Sequence, residues 1–72
     1  MPIFPNKDVL EGQILEYLSD GRESSTTEIV EFFYTVFEYK PVLVTGQVLK
    51  MLYYKTLVRT PHRGVRLPLG PT

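Results

Sequence analysis

The chain has no cysteine and no tryptophan, a single histidine, and no acidic residue after Glu38. Without Cys there is no disulfide and no thiolate metal site, and the redox compartment leaves no mark. His62 cannot make a metal site by itself. No apolar run approaches the roughly 18 residues that a membrane span needs. The opening Met-Pro-Ile-Phe-Pro lacks the charged and apolar regions of a signal peptide, so the expectation is an intracellular protein. No acid pair accompanies a His, a metal-ligand spacing or a glycine-rich phosphate loop. General acid–base and phosphoryl-transfer readings are therefore rejected, and neither an enzyme nor a cofactor is expected.

What is present is a charge split. Residues 1–38 hold all eight acids against Lys7 and Arg22, a balance of −6. Residues 39–72 hold Lys40, Lys50, Lys55, Arg59, Arg63 and Arg66 and no acid, a balance of +6. The net charge of zero hides this dipole, and an acid-free basic half points to a polyanionic partner. With 72 residues there is room for one domain with a small core, so a partner chain is a natural source of added stability.

Pro2 and Pro5 exclude a helix at the start, leaving residues 1–7 as an arm. Asn6 or Asp8 can cap a first helix running to about Ser19, with the stripe Leu10, Ile14, Tyr17 and Leu18, closed by Asp20-Gly21. Ser25-Thr26-Thr27-Glu28 reads as a capping box for a second helix whose stripe is Ile29, Phe33, Val36 and Phe37. That helix must stop before Pro41, and Pro41 suits the first position of a third helix running to about Lys55. Leu57 to Thr60 and Val65 to Leu67 read as a hairpin around the turn Pro61-His62-Arg63-Gly64, and residues 68–72 as a tail. The fold class expected is α+β, mostly α: one domain over 1–72, with its core in 8–67.

Helix, helix, helix and hairpin within this length resembles the winged helix-turn-helix superfamily. The most specific match is Val48 to Thr60, where Leu49-x-x-Leu52 and Leu57-Val58-Arg59 fall at the spacing that ends many recognition helices and opens a basic first wing strand. The chain departs from the family in having Thr56 where Gly is usual, and in a long stretch between Phe33 and Val44 that is either an extended second helix or a real loop.

The resemblance implies that the third helix enters the major groove of double-stranded DNA while the wing holds the backbone. With Val48, Leu49 and Leu52 in the core, Gln47, Lys50 and Tyr54 fall on the opposite side and Thr45 at its margin. Gln can bond adenine, Lys can reach guanine or phosphate, and Arg59, Arg63 and Arg66 form a cationic wing cluster for phosphates. The candidate DNA-binding set is Thr45, Gln47, Lys50, Tyr54, Arg59, Arg63 and Arg66. The plain alternative for each is a solvated surface residue, and for Tyr53 and Tyr54 a packing role. Phe32, Phe33 and Phe37 cannot share one stripe, because adjacent helical residues point about 100° apart. Some rings should therefore be exposed, which suggests a homodimer joined through aromatic residues, with the Ile3-Phe4 arm able to take part. A transcriptional regulator acting as a dimer is the first expectation. The second is a winged-helix protein-interaction module, motivated by Leu43, Met51 and Tyr54 on the supposed DNA face. An apolar patch broken by isolated charges would favour the second, and a continuous positive stripe the first.

Overall fold

A computed structural model describes residues 6–68. The arm residues Ile3 and Phe4 and the tail beyond Pro68 lie outside that range. Three helices, α1 (Lys7–Tyr17), α2 (Thr26–Phe37) and α3 (Pro41–Tyr53), precede an antiparallel hairpin of β1 (Val58–Arg59) and β2 (Val65–Arg66). This is the α+β, mostly helical, winged-helix arrangement. Among the described residues, no helix is long and apolar enough to cross a membrane.

Each helix starts where local chemistry allows. Asn6 caps α1, its side-chain oxygen accepting from the Asp8 N–H at 2.8 Å. Ser25 and Glu28 form the reciprocal capping box of α2, with the two bonds at 3.0 and 3.1 Å. α3 has no side-chain cap hydrogen bond and starts on Pro41, whose missing N–H is no loss there. α1 ends two residues earlier than the sequence suggests. Gly21, at φ 84°, shapes the turn beyond it instead of closing the helix.

The long stretch after Phe33 is an extended α2 and not a loop. α2 runs to Phe37, and Glu38 then takes a left-handed conformation at φ 59°. This lets the chain reverse within Glu38, Tyr39 and Lys40. Tyr39 is buried beneath the turn, and its hydroxyl donates to Gln13 Oε1 at 2.9 Å, tying the turn to α1. Part of the aromatic surplus is absorbed inside the chain, while Phe32, Tyr34, Tyr53 and Tyr54 stay exposed as expected. Phe33 stacks with Phe37 and Tyr39 at 5.5 and 6.1 Å, and Phe32 meets the Phe33 ring edge-on at 5.2 Å.

One strand residue was not legible in the sequence. Ser24, between α1 and α2, pairs with Val65 through bonds of 3.0 and 2.7 Å in both directions. β2 is thereby central, with β1 on one side and Ser24 on the other, and Val65 is fully buried. The pairing also brings an acid into the basic half: the Glu23 side chain lies against Gly64, where an added Cβ would collide with it.

The exit from α3 sets the register of everything after it. The left-handed residue is Lys55, at φ 66°, one position before the Thr56 that stands in place of the family's Gly. Thr56 N–H bonds the Met51 carbonyl at 2.8 Å and Lys55 N–H bonds that of Leu52 at 3.2 Å, a Schellman closure. A non-glycine residue in this conformation costs about 1–2 kcal/mol, of which glycine's extra unfolded-state entropy takes back part. Lys55→Gly should therefore raise stability by about 0.5–1 kcal/mol, seen as a Tm increase of roughly 2–8 °C in circular dichroism melts. A lower Tm would show that the lysine side chain makes a stabilising contact that outweighs its backbone strain.

Candidate interaction face of the third helix

α3 buries Val44, Gln47, Val48 and Met51, an i, i+3, i+4, i+7 set. The resemblance places Val48, Leu49 and Leu52 in the core; Val48 is there, Leu49 and Leu52 are not. The observed stripe lies one residue earlier, matching the one-residue shift of the left-handed exit from 56 to 55. In both registers the last core residue stands four positions before the left-handed one. A one-residue shift rotates the buried stripe by about 100°, which exchanges what faces the core for what faces water.

This corrects four of the expected placements. Gln47 is buried, at 7% exposure, and lines a groove of about 250 Å³ between α1 and α3, together with Lys7, Leu10, Leu43 and Lys50 and with Val42 and Gly46 at its outer rim. It does not lie on the outer face where an adenine could be read. Leu49 is 48% exposed instead of buried. Met51, expected near the outer face, is in the core, and Leu52 is half-buried against it.

The other expected residues fall as follows. Thr45 is half-buried at the margin of the helix. Lys50 and Tyr54 are exposed, and the Tyr54 ring meets Tyr53 edge-on at 5.1 Å. Arg59 is exposed on β1. Arg63 is exposed at the hairpin tip in a left-handed conformation, and its N–H closes the turn onto Thr60 O at 3.1 Å. Arg66 is only half-exposed, and its Nε is buried without a hydrogen-bond partner. The proposed wing cluster is therefore reduced to Arg59 and Arg63 as open cations, with Glu23 at its base.

What the outer face of α3 presents is an apolar stripe. Val42, Gly46, Leu49 and Tyr53 follow i, i+4, i+7, i+11 and lie on one side of the helix. Val42 is 72% and Tyr53 79% exposed. Gly46, in the middle, has no atom near the position a Cβ would take, so the stripe carries a notch. Lys50 is the only charge within the helix, and Lys55 follows it just past the end. Sequence reasoning missed Val42, Leu49 and Tyr53 as surface residues. The 4-3-4 spacing was the available signal, obscured because an equally apolar stripe occupies the opposite side.

A second exposed surface lies on α1 and α2. Tyr17 and Phe32 meet at a tilt of 38° with centroids 4.5 Å apart, and with Phe33 and Phe37 they line a groove of about 360 Å³ edged by Gln13, Glu16 and Arg22. Beside it, Tyr17, Phe32 and Val36 share a shallow depression with Glu28 and Glu31. The Arg22 guanidinium, 4.9 Å from the Tyr17 ring centre, is bound to Asp20 at 2.9 Å. Hydrogen bonding to Arg22 holds the Asp20 carboxyl below its ordinary range. The cation at this groove is therefore paired, and the groove's surroundings are net acidic. No family model, curated protein or solved structure matches this chain, so its surface chemistry alone carries the functional reading.

Proposed function

We propose that the chain is a winged-helix protein-interaction module that docks through the outer face of α3. The observation that carries this reading is the stripe Val42–Gly46–Leu49–Tyr53, apolar over its length and interrupted only by the flanking Lys50. A stripe at this spacing is how an amphipathic helix engages a partner. A groove-reading helix instead needs several hydrogen-bonding side chains on its outer face to tell base pairs apart. Here the one amide suited to that task, Gln47, faces α1. The mechanism is occupancy without a chemical step.

A specific observation also favours the DNA reading. Lys55, Arg59 and Arg63 are all exposed on the turn and hairpin that follow α3, and that segment contains no acid of its own. Such cations suit phosphate contacts, which supply affinity with little sequence information. A regulator of this kind would grip the backbone by its wing and touch thymine methyl groups with Val42 and Leu49.

The two readings separate experimentally. A photo-crosslinking phenylalanine analogue in place of Tyr53 should yield protein adducts in the cell, and nucleic-acid adducts at that position would overturn the module reading. In electrophoretic mobility shifts over a salt series, Lys50→Ala and Arg63→Ala should leave duplex affinity unchanged. A loss in both variants with a flattened salt dependence would establish DNA binding instead.

A further inference from the structure

Resting on the docking reading of α3, we infer that its occupant is a second copy of this chain, which receives the α3 stripe in the acid-edged aromatic surface of α1 and α2. The contact is head to tail: two different faces meet, and each copy keeps one of each to offer.

The argument is complementarity of shape and charge. The α3 face is a convex apolar ridge of Leu49 and Tyr53 whose exposed charges, Lys50 and Lys55, are positive. The α1–α2 face is concave and largely apolar, built on Tyr17, Phe32 and Val36; its charges are Glu16, Glu28 and Glu31 together with Arg22, which Asp20 neutralises, so it is net negative. One α3 face stacked on a second would bring cations towards cations, and an α1–α2 face on its twin would bring carboxylates towards carboxylates. Like-charge juxtaposition disfavours both two-fold arrangements, while opposite charges steer and register the mixed one. The zero net charge lets copies approach without overall repulsion. The charge split between residues 1–38 and 39–72 then has a use: it makes the chain its own complement. This differs from an aromatic two-fold dimer, because a heterologous contact leaves both ends open and closes only as a ring.

The test uses two variants of the full chain, altered only at exposed positions. One carries Glu31→Lys with Val36→Gln, which disables the α2 side. The other carries Leu49→Gln with Tyr53→Gln, which disables the α3 side. Far-UV circular dichroism and melting confirm that each is folded. If a double variant fails to fold, the single changes Glu31→Lys and Leu49→Gln replace it. In sedimentation velocity over a concentration series, the wild type should associate more weakly as salt rises. Each variant alone should associate at least tenfold more weakly than the wild type. Mixed in equal amounts, they should form a 1:1 complex and stop there, because one working face of each kind remains.

Three results overturn the inference: a wild type that stays monomeric at every concentration, a single variant that still associates like the wild type, or a mixture that forms no complex. The crosslink at position 53 separates this failure from that of the module reading. Adducts of a different protein's mass sink the self-contact alone, whereas nucleic-acid adducts sink both.

Discussion

Phe33→Ala should cost about 3–5 kcal/mol, the range for truncating a buried aromatic ring. Phe33 is 1% exposed and sits at the middle of the ring cluster, with centroids 5.2 Å from Phe32, 5.5 Å from Phe37 and 6.1 Å from both Tyr17 and Tyr39. Removing it opens a void between α1, α2 and the turn leading to α3. Tyr39 loses one of its two stacking partners there, keeping Phe37 at 5.2 Å, and the turn is held to α1 by the Tyr39–Gln13 bond. A domain of this length has a total stability of roughly 4–11 kcal/mol at ~0.05–0.15 kcal/mol per residue. The variant should therefore be partly or wholly unfolded at 37 °C. Urea unfolding followed by tyrosine fluorescence and far-UV circular dichroism reads this as a large drop in midpoint with an unchanged slope. A loss under about 1.5 kcal/mol would mean that the surrounding rings collapse into the space, and that the cluster is looser than its distances indicate.

Val48→Asp and Leu49→Asp should behave in opposite ways, although the positions are adjacent. Val48 is fully buried, and an aspartate there is an uncompensated charge in the core. A loss above about 4 kcal/mol and an unfolded chain are expected. Leu49 projects to solvent, so its replacement should cost only about 1 kcal/mol, from lower helix propensity and modest lost contact. Chemical denaturation of the pair checks the rotation of α3 directly. If Leu49→Asp also unfolds the chain, Leu49 sits in the core beside Val48, as the resemblance implies. Gln47 would then face outward, and the base-reading face expected from the resemblance would return. The stability experiment thus also decides between the functional readings.

The elements that could be read from sequence are those dictated by neighbours along the chain. The capping box at Ser25 and Glu28, Pro41 at the start of α3, and the turn between Thr60 and Gly64 each depend on residues within four positions of one another, and each forms. Of the stripe Leu10, Ile14, Tyr17 and Leu18, all are buried as the spacing requires except Tyr17, which is half-buried. Three features escaped. Ser24 lies in a polar stretch with no strand alternation, and it is a strand residue only because Val65 arrives beside it. Glu23 enters the basic half by the same pairing. The register of α3 escaped because both of its sides are apolar, so periodicity alone could not tell the core side from the outer one.

The number, order and approximate bounds of the helices and hairpin are written along the chain, as is the segregation of charge between its two halves. The elements follow from local propensities and caps, whose energies act within a turn or two of chain. Which side of α3 meets solvent is set by the assembled core. That choice depends on where the left-handed exit falls, and Lys55 takes it so that Leu57 and Val65 can reach the core while β2 pairs with Ser24. The resulting one-residue shift turns Gln47 inward and Leu49 outward. A surface expected to read bases becomes an apolar stripe, because burial is settled by the whole core together and not by the helix alone.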